Sequence, residues 1–239
     1  MENNKSPLYK DRKTIQHRNK QDYNKNLKDL ADLVRGAEKD ENGKRLLYKK
    51  LLGNDYEKLL KHDKKGLQKH EYSHDICNPP PPKKGRSTEK RTCRCMNYYG
   101  KDAQKCGNCK LKKKWNNVGK FKVTDYEVPM TYVISEAGGI DLLIDGKYAT
   151  EVKPEKSRES LVRMIAEIFT YTIDRKYEPA ICFFEDSKQM KDFKRLREEG
   201  NEDLNYLMKY VSVFYVSYTE RKEDCEHTVC DYRIIPIEE

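Results

Sequence analysis

Long apolar runs are missing from this sequence. No stretch reaches the roughly 18 consecutive apolar residues of a membrane-spanning helix, and the polar, basic N-terminus lacks the apolar segment of a secretory signal. Only 36% of the residues are hydrophobic and 37% are charged, so we expect a substantial part of the chain to lie outside any core. The eight cysteines, without an export signal, indicate a reducing compartment. We therefore expect a soluble cytoplasmic protein with no membrane partner.

Positive charge is concentrated in the first half of the chain. Residues 1–126 hold 33 lysines and arginines against 16 acidic residues, a balance of +17, whereas residues 127–239 hold 16 against 24, a balance of −8. A basic front beside an acidic back favours a polyanion-binding arm attached to a separate unit. The alternative is that lysine-rich helices only keep the surface soluble.

Leucines recur at helical spacing over residues 24–60, with an interruption at 40–43, which predicts two amphipathic helices. A third helix is predicted over 64–73. Together with composition, this divides the chain into a disordered basic tail (1–20), a helical basic region (21–76), a linker with a four-cysteine module (77–126) and an α/β unit (127–239).

Two closely spaced pairs of cysteines, Cys93 with Cys95 and Cys106 with Cys109, are separated by ten residues. This spacing is typical of two knuckles that hold a tetrahedral metal, and four thiolates suit a structural Zn2+. Replacement of one ligand by Cys77 stays open, as does an iron–sulfur cluster.

A basic run with an aromatic residue follows the cysteines, and its members are Lys110, Lys112, Lys113, Lys114 and Trp115. Lysines bind phosphates and aromatic rings stack on bases, so we expect a nucleic-acid-binding surface here. A structural role for the ring in the core of a small zinc module is the alternative.

From residue 127 onwards, strand and helix patterns alternate. Strands are predicted over 130–135, 140–144, 147–152, 180–184, 211–218 and 229–237, and helices from a Ser157 N-cap to about residue 176, over 187–199 and over 204–210. The order β-β-β-α-β-α-β implies an α/β fold with a sheet of mixed direction.

The second and third strands form a predicted hairpin around Asp145–Gly146, and they contain three charged residues, Asp141, Glu151 and Lys153. A two-residue turn would place Asp141 on the opposite face from the other two. An odd-numbered loop or a bulge would pair Asp141 with Glu151, and the apolar pattern favours this second register.

Two carboxylates and a lysine on one face are what metal-dependent phosphodiester cleavage requires. The carboxylates bind Mg2+, and the lysine opposes the charge that develops on the attacking water and the phosphate. An ordinary salt bridge between neighbouring strands is the alternative.

These residues resemble the PD-(D/E)XK nuclease superfamily over about residues 130–184, with Asp141 as the first acid and Glu151-Val152-Lys153 as the second motif. The resemblance implies a restriction-endonuclease-like αβββαβ core, Mg2+ or Mn2+, DNA more often than RNA as substrate, and the Val152 carbonyl as a further metal ligand. Ile140 stands where the nominal motif has proline.

Features of three branches of the superfamily occur together. Glu167 and Tyr171 are similar to the Gln-x3-Tyr motif of RecB-like exonucleases, and His70 has the spacing of that branch's upstream histidine ligand. Glu136 lies in a segment similar to archaeal Holliday-junction resolvases. A restriction enzyme with a zinc-bearing reading arm also fits.

The sequence thus predicts a Mg2+-dependent deoxyribonuclease with a basic, zinc-bearing DNA-binding arm. A non-catalytic DNA-binding protein on a nuclease-like fold and an RNA-directed nuclease are the alternatives. The number of subunits stays open, including a homodimer.

Overall fold

Helices precede and separate the strands, as the change in sequence pattern predicts. The computed structural model describes residues 20–53, 56, 88–98, 113–128, 140–173, 176–221 and 228–237. Its helices are α1 (Lys20–Lys39), α2 (Glu41–Leu52), α3 (Thr88–Tyr98), α4 (Leu161–Tyr171), α5 (Lys188–Glu198) and α6 (Glu202–Leu207). Its strands are β1 (Lys113–Asn117), β2 (Val123–Val128), β3 (Ile140–Ile144), β4 (Tyr148–Lys153), β5 (Glu178–Phe184), β6 (Ser212–Arg221) and β7 (Thr228–Pro236). None of these helices is both long enough and apolar enough to cross a membrane.

The N-terminal leucines fold as two packed helices. Leu27, Leu30 and Val34 recur on one face of α1 and are buried. Asp40 separates the helices and caps the second, because its side chain accepts a hydrogen bond from the Gly43 N–H at 2.7 Å. The predicted interruption of the helical pattern is therefore confirmed.

All seven strands belong to one mixed sheet with the order β1-β7-β6-β5-β4-β3-β2. A flat sheet would hold its two edge strands about 29 Å apart, at about 4.8 Å per strand. Only residues 118–122 join these edges, β1 and β2, and such a link spans at most about 21 Å. The sheet therefore curls into a half-barrel.

Each face of the sheet has its own apolar core. One core lies between the sheet and the helices α1, α2, α4, α5 and α6. The other lies inside the curl, where α3 packs against β1 to β4. Strand β4 contributes to both, since Ala149 points to the first and Val152 to the second. Its alternate side chains, including those of Glu151 and Lys153, thus face the helical layer.

The edge strands β1 and β2 were not predicted from the sequence, because most of their residues lie in the segment 77–126 that was assigned to the linker and the four-cysteine module. In β1 only Trp115 is buried, and the other four residues are lysines and asparagines. The strand therefore lacks the alternation of apolar and polar residues by which a strand is recognised in a sequence. Polar residues are common on edge strands, which have one unpaired side. The predicted helix over 64–73 and the predicted strand over 130–135 lie outside the described residues.

The close contact between α1 and α2 generates a stability prediction. A Cβ on Gly43 would overlap the backbone carbonyl of Gly36, whereas a Cβ on Gly36 would meet only an ordinary van der Waals contact at 4.0 Å. Gly43→Ala should therefore push the helices apart and lower the free energy of unfolding by roughly 2 kcal/mol or more.

The matched control is Gly36→Ala, which adds the same methyl group inside α1. It should be neutral or stabilising by up to about 1 kcal/mol, because alanine is the better helix former. Urea unfolding of both variants measures the difference, and equal effects would contradict this packing.

Candidate active site

The β3–β4 hairpin has the register that the apolar pattern favours. Asp145 and Gly146 adopt positive φ angles of 52° and 66°, and Lys147 donates its N–H to the Ile144 carbonyl at 3.0 Å. The loop has three residues, because Ile144 pairs with Tyr148. Continuing this register places Asp141 opposite Glu151, on the same face.

Beyond the last backbone pair of the hairpin, the Asp141 side chain replaces the backbone as hydrogen-bond acceptor. The last paired residues are Leu142 and Thr150, and beyond them Asp141 Oδ2 accepts a hydrogen bond from the Val152 N–H at 3.0 Å. Asp141, Glu151 and Lys153 are only 7%, 3% and 2% exposed. The charged face of the hairpin is therefore enclosed by the protein and is not a solvated surface.

Lys153 is the centre of this enclosed region. Its ammonium forms a very short contact with Glu151, and it lies 2.9 Å from Glu89, 3.0 Å from Glu159 and 3.8 Å from Glu167. One cation thus neutralises parts of four carboxylates. An ordinary one-to-one salt bridge between neighbouring strands does not have this arrangement.

Glu89 comes from α3, on the opposite face of the sheet from the helical layer. It lies in the first turn of that helix, close to the end of β4, and reaches Lys153 from there. Glu159 and Glu167 come from the segment that follows β4. Both layers of the fold therefore contribute side chains at the C-terminal end of this strand.

Helix α4 begins at Leu161 with Ser160 as its N-cap, three residues later than predicted; Ser160 Oγ accepts the Arg163 N–H at 3.2 Å. Arg163 is bracketed by acids at i−4 and i+4. Its guanidinium lies 3.2 Å from Glu159 and 3.1 Å from Glu167. These pairs hold both acids towards Lys153.

We name these residues the acidic cluster: Glu89, Asp141, Glu151, Glu159 and Glu167, with the cations Lys153 and Arg163. If all the carboxylates were ionised, five negative charges would face two positive charges. Buried charge without compensation is strongly unfavourable. The cluster therefore requires protons or further cations.

The pKa values in the cluster reflect this surplus. Burial raises the pKa of Asp141 from its ordinary value of 3.8 to about 7, although Lys153 opposes the rise. Burial, and then the charge of Asp141, raises the pKa of Glu151 well above its usual range. Burial alone would lower the pKa of Lys153, but Glu151 and Asp141 outweigh it and hold that pKa above its ordinary value.

Two overlapping groups of carboxylates have the spacing of metal ligands. Glu89, Asp141 and Glu151 form one group and Glu151, Glu159 and Glu167 the other, with ligand oxygens within 4.8 Å of one another in each. Glu167 Oε2 is buried without a hydrogen-bond partner among the described residues. Carboxylate oxygens are the ligands that Mg2+ and Mn2+ prefer, so the donor set fits either ion.

Other residues predicted for the site lie elsewhere or outside the described ranges. Tyr171 is buried in the apolar core of the helical layer, one helical turn beyond Glu167. His70 and Glu136, the additional metal ligands expected from sequence, are outside the described residues.

Cys93 and Cys95 lie on α3, where residues two apart point in different directions. Both are buried in the apolar core inside the curl. Burial, and then the charge of Asp141, raises the pKa of the Cys93 thiol. This arrangement does not present the two as a ligand pair, and Cys106 and Cys109 lie outside the described residues.

Trp115 is a core residue, which corrects its predicted role in base stacking. Its ring is 4% exposed and packs edge-on against Phe184, Tyr218 and Tyr232. The neighbouring lysines are not free cations either: Lys113 lies 2.6 Å from Glu220, and Lys114 also has an interaction partner. Lys110 and Lys112 are outside the described residues.

Sequence reasoning missed Glu89, Glu159 and Arg163. The spacing Glu159-x3-Arg163-x3-Glu167 could have been recognised, since residues four apart share a helix face. No local signal marks Glu89, because its place in the cluster depends on how α3 docks against the sheet.

A scan against protein-family models and searches of curated proteins and of solved structures find no match to this chain.

The raised pKa of Asp141 predicts how stability depends on pH when divalent metal is removed with EDTA. Between about pH 4 and pH 7 the folded chain keeps a proton on Asp141 that the unfolded chain releases. The free energy of unfolding should therefore fall as the pH rises through this window. Mg2+ should flatten the curve, because the ion replaces the proton as compensating charge.

Asp141→Asn removes the titrating group and keeps the side-chain shape, so the stability of this variant should fall less across the same window. Urea unfolding at steps of pH compares the two proteins. Parallel curves for wild type and Asp141→Asn would contradict the raised pKa.

The core position of Cys93 predicts that it is not a zinc ligand. In Cys93→Ala, the zinc content per chain should equal that of wild type, and stability should fall by roughly 1–2 kcal/mol through lost packing. Cys182→Ala, which removes another fully buried free thiol, is the matched control. Metal analysis and urea unfolding measure the two effects, and loss of zinc in Cys93→Ala alone would restore the four-cysteine site.

Proposed function

We propose that this protein is a metal-dependent nuclease that hydrolyses phosphodiester bonds in DNA. The observation that carries the proposal is the acidic cluster itself: five carboxylates from three segments converge on Lys153 at the end of β4 and exceed the cations available to them. A purely structural ion pair does not require such a surplus. A bound divalent cation does, because carboxylates that exceed the local cations balance its charge.

The order of elements supports the same proposal. Strands β2, β3 and β4, helix α4 and strand β5 follow one another in the order βββαβ, and β5 pairs parallel to β4; helix α3 precedes them, with the edge strand β1 in between. Asp141 lies on the second of these three strands, and Glu151 and Lys153 lie on the third. The order βββαβ is expected for most of the core that the resemblance to PD-(D/E)XK nucleases implies, and it therefore supports the proposal.

Each residue of the cluster has a role that its position allows. Glu89, Asp141 and Glu151 would hold the catalytic ion, with Asp141 oriented by the Val152 N–H. When bound, Mg2+ supplies positive charge to a phosphate oxygen and lowers the pKa of a water. Lys153 stays protonated and stabilises the negative charge that develops on the phosphate. Arg163 positions Glu159 and Glu167 against Lys153.

These roles predict different effects for three substitutions. Asp141→Asn and Glu151→Gln should abolish cleavage and weaken Mg2+ binding at least tenfold, because each removes a ligand charge. Lys153→Met should lower the cleavage rate by orders of magnitude but keep metal binding, since it removes stabilisation realised chiefly in the transition state. Calorimetric Mg2+ titration and cleavage of plasmid, linear single-stranded and branched DNA measure the two properties.

The matched control is Glu178→Gln, which alters an exposed carboxylate that pairs with Lys147 at 3.1 Å at the opposite end of β4. It should cleave like wild type. Because the cluster is buried, folding of every variant is followed by circular dichroism. Full cleavage activity in folded Lys153→Met would refute the proposal. Cleavage of RNA but not of DNA by the wild-type protein would change the proposed substrate from DNA to RNA.

A further inference from the structure

The loop between β4 and α4, residues 154–160, is held in place by buried contacts. Gln189 of α5 is fully buried, and its side-chain amide donates to the carbonyls of Ser157 at 3.3 Å and Glu159 at 2.6 Å. The Ser157 N–H donates to the Pro154 carbonyl at 2.9 Å. At the other end of the loop, the Tyr218 hydroxyl donates to the Glu155 carboxylate. The backbone path of this loop is thus set by its neighbours.

Two cations project from this anchored loop. Lys156 and Arg158 are exposed, whereas Glu159 beside them points into the acidic cluster and lies 3.0 Å from Lys153. Neither cation forms a side-chain ion pair with the residues that the structure describes. Lys156 follows Lys153 by three positions along the chain, so their Cα atoms lie within about 11 Å.

The charge of the acidic cluster makes nearby cations necessary for a polyanionic substrate. A surplus of carboxylates repels phosphates, and a bound divalent ion offsets only part of it. Lysines of the sequence-predicted basic run do not fill this need within the described residues, because Lys113 is neutralised by Glu220 and Lys114 also has a partner. The cations on the anchored loop are available.

We propose that the loop 154–160 is a clamp for the phosphate backbone of a polynucleotide, in which Lys156 and Arg158 bind phosphates next to the scissile one. This inference rests on the proposed nuclease function and specifies where its substrate lies. The buried anchor from Gln189 gives the clamp a fixed geometry relative to the acidic cluster. Its cations contact the backbone, so they bind without regard to base sequence.

The test is the salt dependence of binding, measured by fluorescence anisotropy with labelled duplex and single-stranded DNA and with Ca2+ in place of Mg2+. In the double variant Lys156→Ala/Arg158→Ala, the slope of log K against log salt should become shallower by about 1.8 on duplex DNA, at about 0.9 per phosphate contact. Affinity at about 0.1 M salt should fall more than tenfold. Lys156→Arg/Arg158→Lys keeps both charges and should retain most of the slope.

The matched control is Lys120→Ala/Lys122→Ala. It also removes two exposed positive charges, but at the turn end of the sheet, where Lys122 adjoins Asp145. The length of β4, about 17 Å, separates that end from Lys153. This variant should keep the wild-type slope, and thermal unfolding should show that both double variants are as stable as wild type.

The outcomes separate the clamp from the nuclease proposal. Equal slopes for wild type and both alanine double variants, with cleavage intact, would overturn the clamp alone. Equal losses of slope in the two alanine double variants would also overturn it, because they would indicate a diffuse electrostatic field. Absence of metal-dependent cleavage, with the predicted loss of slope still present, would refute the nuclease and leave a polynucleotide-binding surface.

Discussion

The crowding of five carboxylates, three buried and two half-buried, around one lysine ammonium is the constraint on which the rest of this structure depends. Such a group is unstable in a protein interior unless its charges are compensated. Here Lys153 and Arg163 compensate part of the negative charge. The uncompensated part is seen in the raised pKa values of Asp141, Glu151 and Glu89. The surplus negative charge is therefore compensated by protons or by an added cation.

The architecture explains how acids distant in sequence reach that place. The three-residue hairpin loop sets the register that aligns Asp141 with Glu151. The sheet curls around α3, which brings Glu89 to the end of β4 from one face. Helix α4 follows β4 directly and returns over the other face with Arg163 and Glu167. The hairpin loop, the curl of the sheet and the return of α4 each place one part of the acidic cluster, and together they bring its residues into contact.

Among the described residues, part of the positive charge of the front half is paired within the fold. The basic front half contains most of the lysines, yet Lys113 is paired with Glu220 at the edge of the sheet, and Trp115 belongs to the core. The cations proposed to bind a substrate phosphate lie instead in the acidic back half, on the loop next to the cluster. In this proposal, proximity to the acidic cluster and the contacts of Gln189 position the two cations, whereas the overall charge balance of a region does not.

Local patterns in the sequence were sufficient for part of this account. Alternation along β3 and β4 predicted the hairpin, its register and the shared face of Asp141, Glu151 and Lys153, because side-chain direction in a strand follows from spacing alone. Helical periodicity predicted α1, α2 and the helix after the hairpin, although its N-cap is Ser160 and not Ser157. The α/β class with a mixed sheet followed from the order of these elements.

The tertiary structure alone decided the rest. It placed β1 and β2 at opposite edges of one curled sheet, buried Cys93, Cys95 and Trp115 inside the curl, and added Glu89 to the acidic cluster. These features depend on contacts between segments far apart in the chain, and no local spacing encodes them. Whether a charged or cysteine-rich motif is exposed or enclosed is settled only when a distant segment packs against it, and in this chain the packing of helix α3 against the sheet decided both.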